Sequence, residues 1–279
     1  MFTPEPEIVY EKLVKGVASF FKECGKERAV LGLSGGIDSA VVLCIAREAL
    51  GKENVQAILM PSPFSTLHSV TDAVELADNL NIEYSVVPIE SIYNRYMKEL
   101  EELFCGEVKG ITQENIQARI RANILMAYSN NTGALVLNTS NKSELAMGYG
   151  TLYGDLTGAL MVIADIYKLQ VYSLAHYINS LKKVIPDSVL TKEPSAELRE
   201  DQKDSDSLPE YSILDPLLHS MIEKGKSAKD IISGGGDRVL IDRVEKLMSQ
   251  SAFKGHQLPP MLQIGENPLL PAHKCIKCS

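Results

Sequence analysis

Short apolar runs alternate with longer amphipathic segments along the chain. Apolar residues recur at helical spacing over residues 5–24, which predicts an amphipathic helix packed against a core. The run 29–33 is apolar and is followed by glycines, as expected of a buried strand and a loop. A helical pattern then runs through 41–49 and stops at Gly51. The alternation continues, with strands predicted at 55–60, 82–87 and 134–137 and helices at 70–80, 89–104 and 114–129.

This alternation predicts an α/β fold with a doubly wound, mostly parallel sheet and helices on both faces. In such sheets, ligands bind at the carboxyl ends of the strands. The segments that follow Leu33, Met60 and Leu137 all leave strands at that edge. The pattern therefore predicts a binding site built from these three segments.

The C-terminal half is less regular. Between 192 and 209 the chain is rich in Glu, Asp, Ser, Lys and Pro, which predicts a long surface loop that is either disordered or a functional lid. Helical periodicity returns at 213–222 and 239–248. The glycine triplet at 234–236 predicts a turn that joins two helices, and the residues after 250 are interrupted by prolines.

Composition narrows the possible environments and partners. The 279 residues suffice for one large domain, or for one domain with sizeable appendages, and a hydrophobic content of 45% can fill a substantial core. The formal net charge of -8 argues against a general nucleic-acid binder, because phosphate contacts need a basic surface. No apolar run is long enough to span a bilayer, and the N-terminal residues do not resemble a signal segment. We therefore expect a cytoplasmic protein with no nucleic-acid or membrane partner.

The five cysteines follow no regular framework, which fits a reducing compartment. Cys24, Cys44 and Cys105 lie in apolar or helical settings and are expected to be buried. Cys275 and Cys278 form a C-x-x-C pair at the C-terminal end. A metal or redox site there would need further partners, so a mobile tail is the simpler interpretation and the alternative stays open.

Residues 32–39, between the first predicted strand and the helix that follows it, are suited to phosphate binding. Their backbone N–H groups and the positive helix end would form an anion site, and their glycines would let the backbone approach oxygens closely. They do not form a Walker A loop, because the Gly-Lys-Ser/Thr ending is absent. A cation must come from elsewhere, and Asp38 is suited to hold Mg²⁺ against phosphates. The stretch consists of Gly32, Leu33, Ser34, Gly35, Gly36, Ile37, Asp38 and Ser39.

The simpler interpretation of this stretch is a glycine turn with Asp38 and Ser39 capping the helix. The complete string Ser-Gly-Gly-x-Asp-Ser after a strand favours phosphate binding instead. It resembles the pyrophosphate-binding loop of the N-type ATP pyrophosphatases, which include NAD synthetase, GMP synthetase, asparagine synthetase and several tRNA-modifying enzymes. The resemblance implies cleavage of ATP between its α and β phosphates and an adenylated intermediate.

Several further segments resemble NAD synthetases, in the same order and with the same spacing. The resemblance extends from the N-terminal helix to about residue 260, and it is closest to the synthetase portion of glutamine-dependent members. It implies an adenine nucleotide alpha hydrolase-like fold, an NAD synthetase-like ATP pyrophosphatase domain over 1–260 and a C-terminal tail over 261–279. The matching segments are 115–121, 135–144, 148–155, 167–172 and 192–198.

The same resemblance implies roles in an ATP site. Asp38 and Lys168 would be catalytic, with Lys168 supplying the cation that neutralises the ATP phosphates. Glu144 would be the second magnesium ligand beside Asp38, and Thr139 and Ser195 would contact ATP through their hydroxyl groups. Without the resemblance, Glu144 and Lys168 would be interpreted as surface charges and the two hydroxyls as helix caps.

Arg119, Asp155 and Lys254 resemble the residues that hold deamido-NAD in this family. On its own, Arg119 would be interpreted as a salt-bridged surface arginine. Shorter family members often have a lysine and an acid at the positions of Leu152 and Ala159. The contacts that such members make at those two positions are therefore not carried over to this chain.

The reaction implied is ATP-dependent amidation of deamido-NAD by ammonia through an acyl-adenylate, which gives NAD, AMP and pyrophosphate. Mg²⁺ would be the cofactor, ATP a co-substrate and a homodimer the assembly. Only a short helix precedes the first predicted strand, so we expect free ammonia, or ammonia from a separate partner, as the nitrogen source. The alternatives are another N-type ATP pyrophosphatase, GMP synthetase-like or tRNA-modifying, and a non-catalytic adenine-nucleotide sensor on the same sheet.

Overall fold

A parallel sheet organises the computed structural model, which describes residues 5–278. Within these residues every strand pairing is parallel. The strands are β1 (Ala29–Gly32), β2 (Val55–Leu59), β3 (Glu83–Val86), β4 (Leu135–Asn138), β5 (Leu160–Met161), β6 (Met261–Gln263) and β7 (Cys275–Lys277). Their order across the sheet is β3-β2-β1-β4-β5-β6-β7. The sheet grows in opposite directions from β1 and β4, so a crevice is expected between the carboxyl ends of these two strands.

Helices cover the sheet and form the C-terminal part of the fold. They are α1 (Pro6–Glu23), α2 (Ile37–Leu50), α3 (Leu67–Leu80), α4 (Glu90–Phe104), α5 (Ile111–Thr132), α6 (Lys142–Met147), α7 (Lys168–Leu181), α8 (Asp187–Thr191), α9 (Tyr211–Ile222), α10 (Ala228–Ser233) and α11 (Arg238–Ser251). Short 3-10 segments lie at 52–54, 204–206, 252–257 and 272–274. From residue 5 to residue 278, no helix is both long and apolar enough to cross a membrane.

Successive residues of a strand point to opposite faces of the sheet, and β1 illustrates this directly. Ala29 and Leu31 belong to a buried cluster that also contains residues of α1, α2, α3 and α7. Val30 belongs to a second cluster, which contains residues of α4 and α5. The predicted α/β fold with helices on both faces of the sheet is therefore confirmed.

The predicted helices are present, but their ends differ by a few residues. The helix predicted at 70–80 begins at Leu67, because the Thr66 side chain caps it by accepting a hydrogen bond from the backbone N–H of Ser69. The helix predicted at 114–129 extends over α5, Ile111–Thr132. The glycine triplet at 234–236 joins α10 to α11, as predicted.

The segment after residue 260 is not the mobile tail that was expected. Met261 of β6 pairs with Met161 of β5 and with Cys275 of β7, so this segment extends the sheet by two strands. The pairing satisfies backbone groups that would otherwise be exposed along the edge of β5. Strands of three residues show no detectable period, which explains why the pattern did not predict them. Ser279, which also falls in the predicted tail, lies outside the described residues.

The cysteines depart from expectation in two places. Cys24 and Cys105 are exposed rather than buried, because each lies at the C-terminal end of a helix, whereas Cys44 is buried as expected. Cys275, the first residue of β7, and Cys278, just after that strand, pack against clusters on opposite faces of the sheet. This geometry does not support a shared metal or redox site.

Candidate active site

The predicted phosphate loop is the turn between β1 and α2. Gly35 has a φ of 79°, a left-handed conformation that favours glycine. A Cβ atom on Gly35 would lie 2.1 Å from the backbone oxygen of Ser69 in α3, so the position has no room for a side chain. The loop is therefore packed closely against the first turns of α3.

Two serines maintain the internal shape of this loop. The backbone N–H of Ser34 donates to Oγ of Ser39 over 3.3 Å, and the backbone N–H of Gly36 donates to Oγ of Ser34 over 3.2 Å. Oγ of Ser39 donates in turn to the carbonyl of Gly36 over 3.1 Å. Because the first N–H groups of a helix have no partner within that helix, the start of α2 supplies donors suited to an anion.

A lysine links two carboxylates near the crevice between β1 and β4. Nζ of Lys168 lies 2.5 Å from Oδ2 of Asp38 and 3.1 Å from Oε1 of Glu144. Asp38 belongs to the first turn of α2, Glu144 belongs to α6, and Lys168 is the first residue of α7. Lys168 is only 2% exposed, so its charge is directed to these partners rather than to bulk water. The structure thus brings together three residues that the sequence analysis assigned to one site.

The start of α7 is held by buried polar side chains. The backbone N–H of Lys168 donates to Oγ of Ser143 over 2.9 Å, and that of Leu169 donates to Oδ2 of Asp215 over 2.8 Å. Oγ of Ser143 also donates to Oδ1 of Asp215 over 2.6 Å. Asp215 is buried and comes from α9, so the placement of Lys168 depends on a C-terminal helix.

Asn141 and Asp204 join this charged cluster, although neither was predicted as a site residue. Nδ2 of Asn141 donates to Oδ1 of Asp38 over 2.9 Å, and its Oδ1 accepts from the backbone N–H of Glu144 over 3.0 Å. Asp204 is buried and accepts from the Tyr211 hydroxyl through Oδ2 over 2.9 Å. Asn141 carries an N-cap signal after a strand, but Asp204 lies in a polar segment without periodicity, where no signal marks it.

The electrostatics of the cluster favour an additional cation. Burial raises the pKa of Glu144 to about 8, while Lys168 opposes this rise and Asp38 adds to it. Burial also raises the pKa of Asp204, again against Lys168. Burial alone would lower the pKa of Lys168, but the two carboxylates beside it outweigh burial and raise that pKa. One ammonium group therefore faces more acidic groups than it can neutralise.

Asp38 and Glu144 match the donor set of a magnesium ion that is bound together with a nucleotide. Mg²⁺ is usually held by one or two carboxylates, with waters and substrate phosphates as the other ligands. In the part of the chain that the structure describes, no group of three or more His, Cys, Asp or Glu side chains is arranged to hold a metal ion alone. The carboxylate pair would thus need phosphate oxygens to complete a coordination shell.

All residues predicted for the site line one cavity of about 610 Å³. The phosphate loop, Asp38, Glu144 and Lys168 form one part of its lining, together with Thr139 and Ser195. Arg119, Asp155 and Lys254 form another part. Their individual roles stay predictions, but the structure brings all of these residues to the same cavity.

Arg119 and Lys254 both donate to carbonyls of the segment 148–155, which contains Asp155. Nε of Arg119 donates to the carbonyl of Leu152 over 3.2 Å, and the backbone N–H of Thr151 donates to Oδ1 of Asp155 over 2.9 Å. Asp155 is partly open to solvent, and desolvation raises the pKa of its carboxyl group against the hydrogen bonds from Thr151. Burial lowers the pKa of Lys254, against the charge of Asp155.

Leu152 and Ala159, where the chain departs from the pattern of shorter family members, differ in their relation to the cavity. Leu152 lines it, and its carbonyl accepts from Arg119. Ala159 is not among the lining residues, and its backbone N–H donates to the carbonyl of Val136 over 2.7 Å. Of these two departures, the one at Leu152 therefore changes the surface that a ligand meets.

The loop at 192–209 has a defined conformation and contacts α3. Oε1 of Glu197 accepts from Nζ of Lys192 and from Oγ of Ser69, each over 2.6 Å, and from the Thr66 hydroxyl over 3.0 Å. Lys192 also donates to the hydroxyl of Ser69. Oγ of Ser195 donates to the carbonyl of Gln202 within the loop. These contacts close the loop over the cavity, while its movement as a lid stays a prediction.

Comparison with known proteins identifies the family. Residues 9–259 match the family model described as NAD synthase, which covers most of the chain. The chain belongs to the NAD synthase family. Two curated family relatives are glutamine-dependent NAD(+) synthetases. The Synechocystis sp. protein is 48% identical over 260 residues, which are 93% of this chain and 47% of that protein. The Thermotoga maritima protein is 45% identical over 253 residues, which are 90% of this chain and 44% of that protein.

Solved structures agree with membership of the NAD synthase family. The NH3-dependent NAD synthetase from Campylobacter jejuni, in complex with nitrate, has a TM-score of 0.73 at 33% identity, and the match covers 94% of this chain and 100% of that chain. The NMN synthetase from Francisella tularensis has a TM-score of 0.78 at 28% identity, with 90% and 96% covered. The glutamine-dependent enzyme from Acinetobacter baumannii, in complex with ADP, has a TM-score of 0.65 at 39% identity, with 94% and 47% covered.

These neighbours give the sheet its type, the adenine nucleotide alpha hydrolase fold expected from the NAD synthase resemblance. The chain spans about half the length of the curated relatives that it matches. It spans nearly all of the Campylobacter jejuni and Francisella tularensis chains.

Proposed function

We propose that this chain catalyses the ATP-dependent amidation of deamido-NAD by ammonia, which gives NAD, AMP and pyrophosphate. The observation that carries the proposal is the bridge from Lys168 to Asp38 and Glu144, beside a glycine loop that presents helix N–H groups. The cavity that contains this bridge extends to Arg119 and Lys254. It therefore joins a site for phosphates to a site for an acceptor molecule.

In the first half-reaction, the nicotinate carboxylate of deamido-NAD attacks the α-phosphorus of ATP. The bond from that phosphorus to the bridging oxygen breaks, and pyrophosphate leaves with the electron pair. The N–H groups at the start of α2 and the ammonium group of Lys168 stabilise the charge that collects on the pyrophosphate. A magnesium ion held by Asp38 and Glu144 would supply further neutralisation of phosphate charge.

In the second half-reaction, ammonia attacks the carbonyl carbon of the adenylated nicotinate and AMP departs. The substrate carboxylate and ammonia are the nucleophiles, so the protein needs no nucleophile of its own. Water would hydrolyse the acyl-adenylate, so the intermediate must be shielded from solvent. The loop at 192–209 is suited to this role, because Lys192 and Glu197 pair with each other and line the cavity.

The relatives favour NAD formation, and the nitrogen source and the acceptor molecule are to be determined by experiment. The Campylobacter jejuni neighbour is named NH3-dependent, whereas the curated relatives are glutamine-dependent and about twice as long. We infer from the likeness to the Campylobacter jejuni neighbour that ammonia is the nucleophile that reaches this cavity. The Francisella tularensis neighbour is named an NMN synthetase, which makes nicotinate mononucleotide the second candidate acceptor. A homodimer, as the family resemblance implies, is checked by the mass of the protein in solution.

The deciding experiment incubates the purified protein with ATP, Mg²⁺ and ammonium and with one of three acceptors: deamido-NAD, nicotinate mononucleotide or xanthylate. We expect equal amounts of NAD, AMP and pyrophosphate from deamido-NAD and at most slow turnover of the other two. Glutamine in place of ammonium should give no product. The exposed variant Lys182→Met serves as the active control, and Asp38→Asn should be inactive. Turnover of another acceptor without NAD formation from deamido-NAD would overturn the proposal.

A further inference from the structure

Lys254 connects the 3-10 segment at 252–257 to a neighbouring turn. Its Nζ donates to the carbonyl of Gly148 over 2.8 Å and to the carbonyl of Gly150 over 2.7 Å. These two carbonyls immediately precede the turn that contains Asp155. The position of Lys254 therefore bears on the shape of the acceptor end of the cavity.

A second lysine holds the 3-10 segment from its other side. Nζ of Lys274 donates to the carbonyls of His256 and Leu258, each over 2.8 Å, and to that of Gly255 over 3.3 Å. Carbonyls at the end of a helical segment have no partner within it, and a lysine is a suitable donor because its ammonium group carries three hydrogens. Lys274 thus closes the C-terminal end of the segment that carries Lys254.

Apolar side chains also pack between the 252–257 segment and the C-terminal residues. Cδ2 of Leu270 lies 3.7 Å from where a Cβ of Gly255 would be. Leu270 and Leu258 belong to a buried cluster with Leu156, and Leu152 packs against that cluster. The C-terminal segment therefore lies directly beneath the turn at 151–155.

We infer that Lys274 is a positioning residue, which acts through the 252–257 segment and Lys254 to set the shape of the acceptor end of the cavity. The identity of the acceptor as deamido-NAD rests on the proposed function. Lys274 lies beyond residue 259, where the match to the family model ends, and it does not line the cavity. Its influence on substrate binding would therefore be indirect and selective for the acceptor over ATP.

The test compares Lys274→Met, which keeps the aliphatic stem but loses all three donors, with Lys274→Arg, which keeps donors. The matched control is Lys277→Met, an exposed lysine at the end of β7, the strand that directly follows Lys274. For Lys274→Met we expect KM for deamido-NAD to rise about tenfold, the effect of losing hydrogen bonds to a charged group, and KM for ATP to change by less than about twofold. Lys274→Arg should recover most of the loss, and Lys277→Met should match the wild type.

A double-variant cycle tests the route through Lys254. If Lys274 acts by placing Lys254, the double variant with Lys254→Met should be no worse than Lys254→Met alone. Effects that multiply, or equal increases in KM for ATP and deamido-NAD, would overturn the inference and indicate a general loss of structure.

Amide hydrogen exchange of the ligand-free protein separates this inference from the proposed function. Residues 148–156 should exchange faster in Lys274→Met than in the wild type, while Lys277→Met should leave their exchange unchanged. This measurement needs no substrate, so it remains decisive even if the wild-type chain fails to convert deamido-NAD. Unchanged exchange of these residues in Lys274→Met would overturn the positioning role.

Discussion

Nζ of Lys168 lies 2.5 Å from Oδ2 of Asp38, although the two residues are separated by 130 positions in the sequence. Asp38 follows β1 at the phosphate loop, and Lys168 opens α7 on the other side of the crevice. This ion pair therefore joins the starts of α2 and α7 within the phosphate part of the cavity, and its removal is the most direct test of the proposed chemistry.

Lys168→Met should lower kcat for NAD formation by roughly 10³-fold, because it removes a preorganised cation from the charge that develops on pyrophosphate. It would also leave Asp38 and Glu144 facing one another without the charge that now separates them. NAD and pyrophosphate release are measured together with the melting temperature. Lys182→Met, an exposed lysine just after the same helix, is the control. A folded Lys168→Met variant with activity within tenfold of the wild type would contradict the assignment.

Alanine variants of two glycines with similar backbone conformations can distinguish the effect of conformational strain from the effect of close packing. Gly35 and Gly25 have φ values of 79° and 61°, but only Gly35 has a backbone atom in the way of a Cβ; nothing lies within 4 Å of that position at Gly25. Gly25→Ala should therefore cost about 1–2 kcal/mol of stability and leave KM for ATP unchanged. Gly35→Ala must also displace the loop from Ser69 and should raise KM for ATP more than about tenfold. Equal KM values for the two variants in a steady-state assay would refute this distinction.

The contact between Glu197 and α3 should weaken in acid. Burial would raise the pKa of Glu197, but hydrogen bonds from Lys192, Ser69 and Thr66 outweigh burial and hold this pKa below its ordinary value of 4.5. A depressed pKa stabilises the closed loop above pH 4.5, and this contribution is lost as the pH falls through the lower, folded-state pKa. Hydrogen exchange of residues 192–202, corrected for intrinsic rates, should thus be constant at neutral pH and accelerate below pH 4.5.

Glu197→Gln should speed the hydrogen exchange of residues 192–202 at neutral pH. It should also abolish most of the acceleration of this exchange below pH 4.5. Glu200→Gln, in the same loop and exposed, should behave as the wild type. Amides of β1 provide an internal reference for unfolding of the whole domain. If the loop and β1 lose protection together, the acid effect is global and the local interpretation is wrong.

Lys142 offers a test of stability. Its Nζ lies 2.7 Å from Oδ1 of Asp165 and 2.5 Å from Oε1 of Glu223, and its side chain is 1% exposed. Lys142→Met leaves both acids without their cation, so unfolding in urea should show a loss of about 3–5 kcal/mol. The exposed pair of Lys183 and Asp187 should be worth at most about 1 kcal/mol, which Lys183→Met measures. Similar losses for the two variants would show that burial does not control these pairs.

The sheet was largely predictable, because each central strand is a run of apolar residues bounded by loop residues. The strand predicted at 55–60 is observed as β2, Val55–Leu59, and its buried residues divide between both faces of the sheet. Helix ends were less predictable, since a side-chain cap such as Thr66 adds residues that carry no apolar period. β5, β6 and β7 are two or three residues long, and only their pairing in the sheet defines them.

The residues of the candidate site also differ in whether the local sequence could predict them. Gly35 and Asp38 belong to a local string whose chemistry can be interpreted without a structure. Asp204 instead enters the cluster because the loop at 192–209 folds back towards Lys168, and local sequence does not encode that approach. Lys274 reaches the 252–257 segment only because β7 joins the sheet. Residues whose role depends on distant contacts are those that the pattern missed.

The pairing of β1 with β4 has a consequence for how the molecule forms. It joins Ala29 to Leu135, about 100 residues apart, so the closure entropy of a long segment must be overcome before the crevice exists. Contacts of such long range are expected to slow folding. During synthesis, the strands on the N-terminal side can pair early, but the nucleotide cradle stays incomplete until the start of α7 has emerged from the ribosome. The site proposed for ATP therefore forms only after these distant segments of the chain have been synthesised.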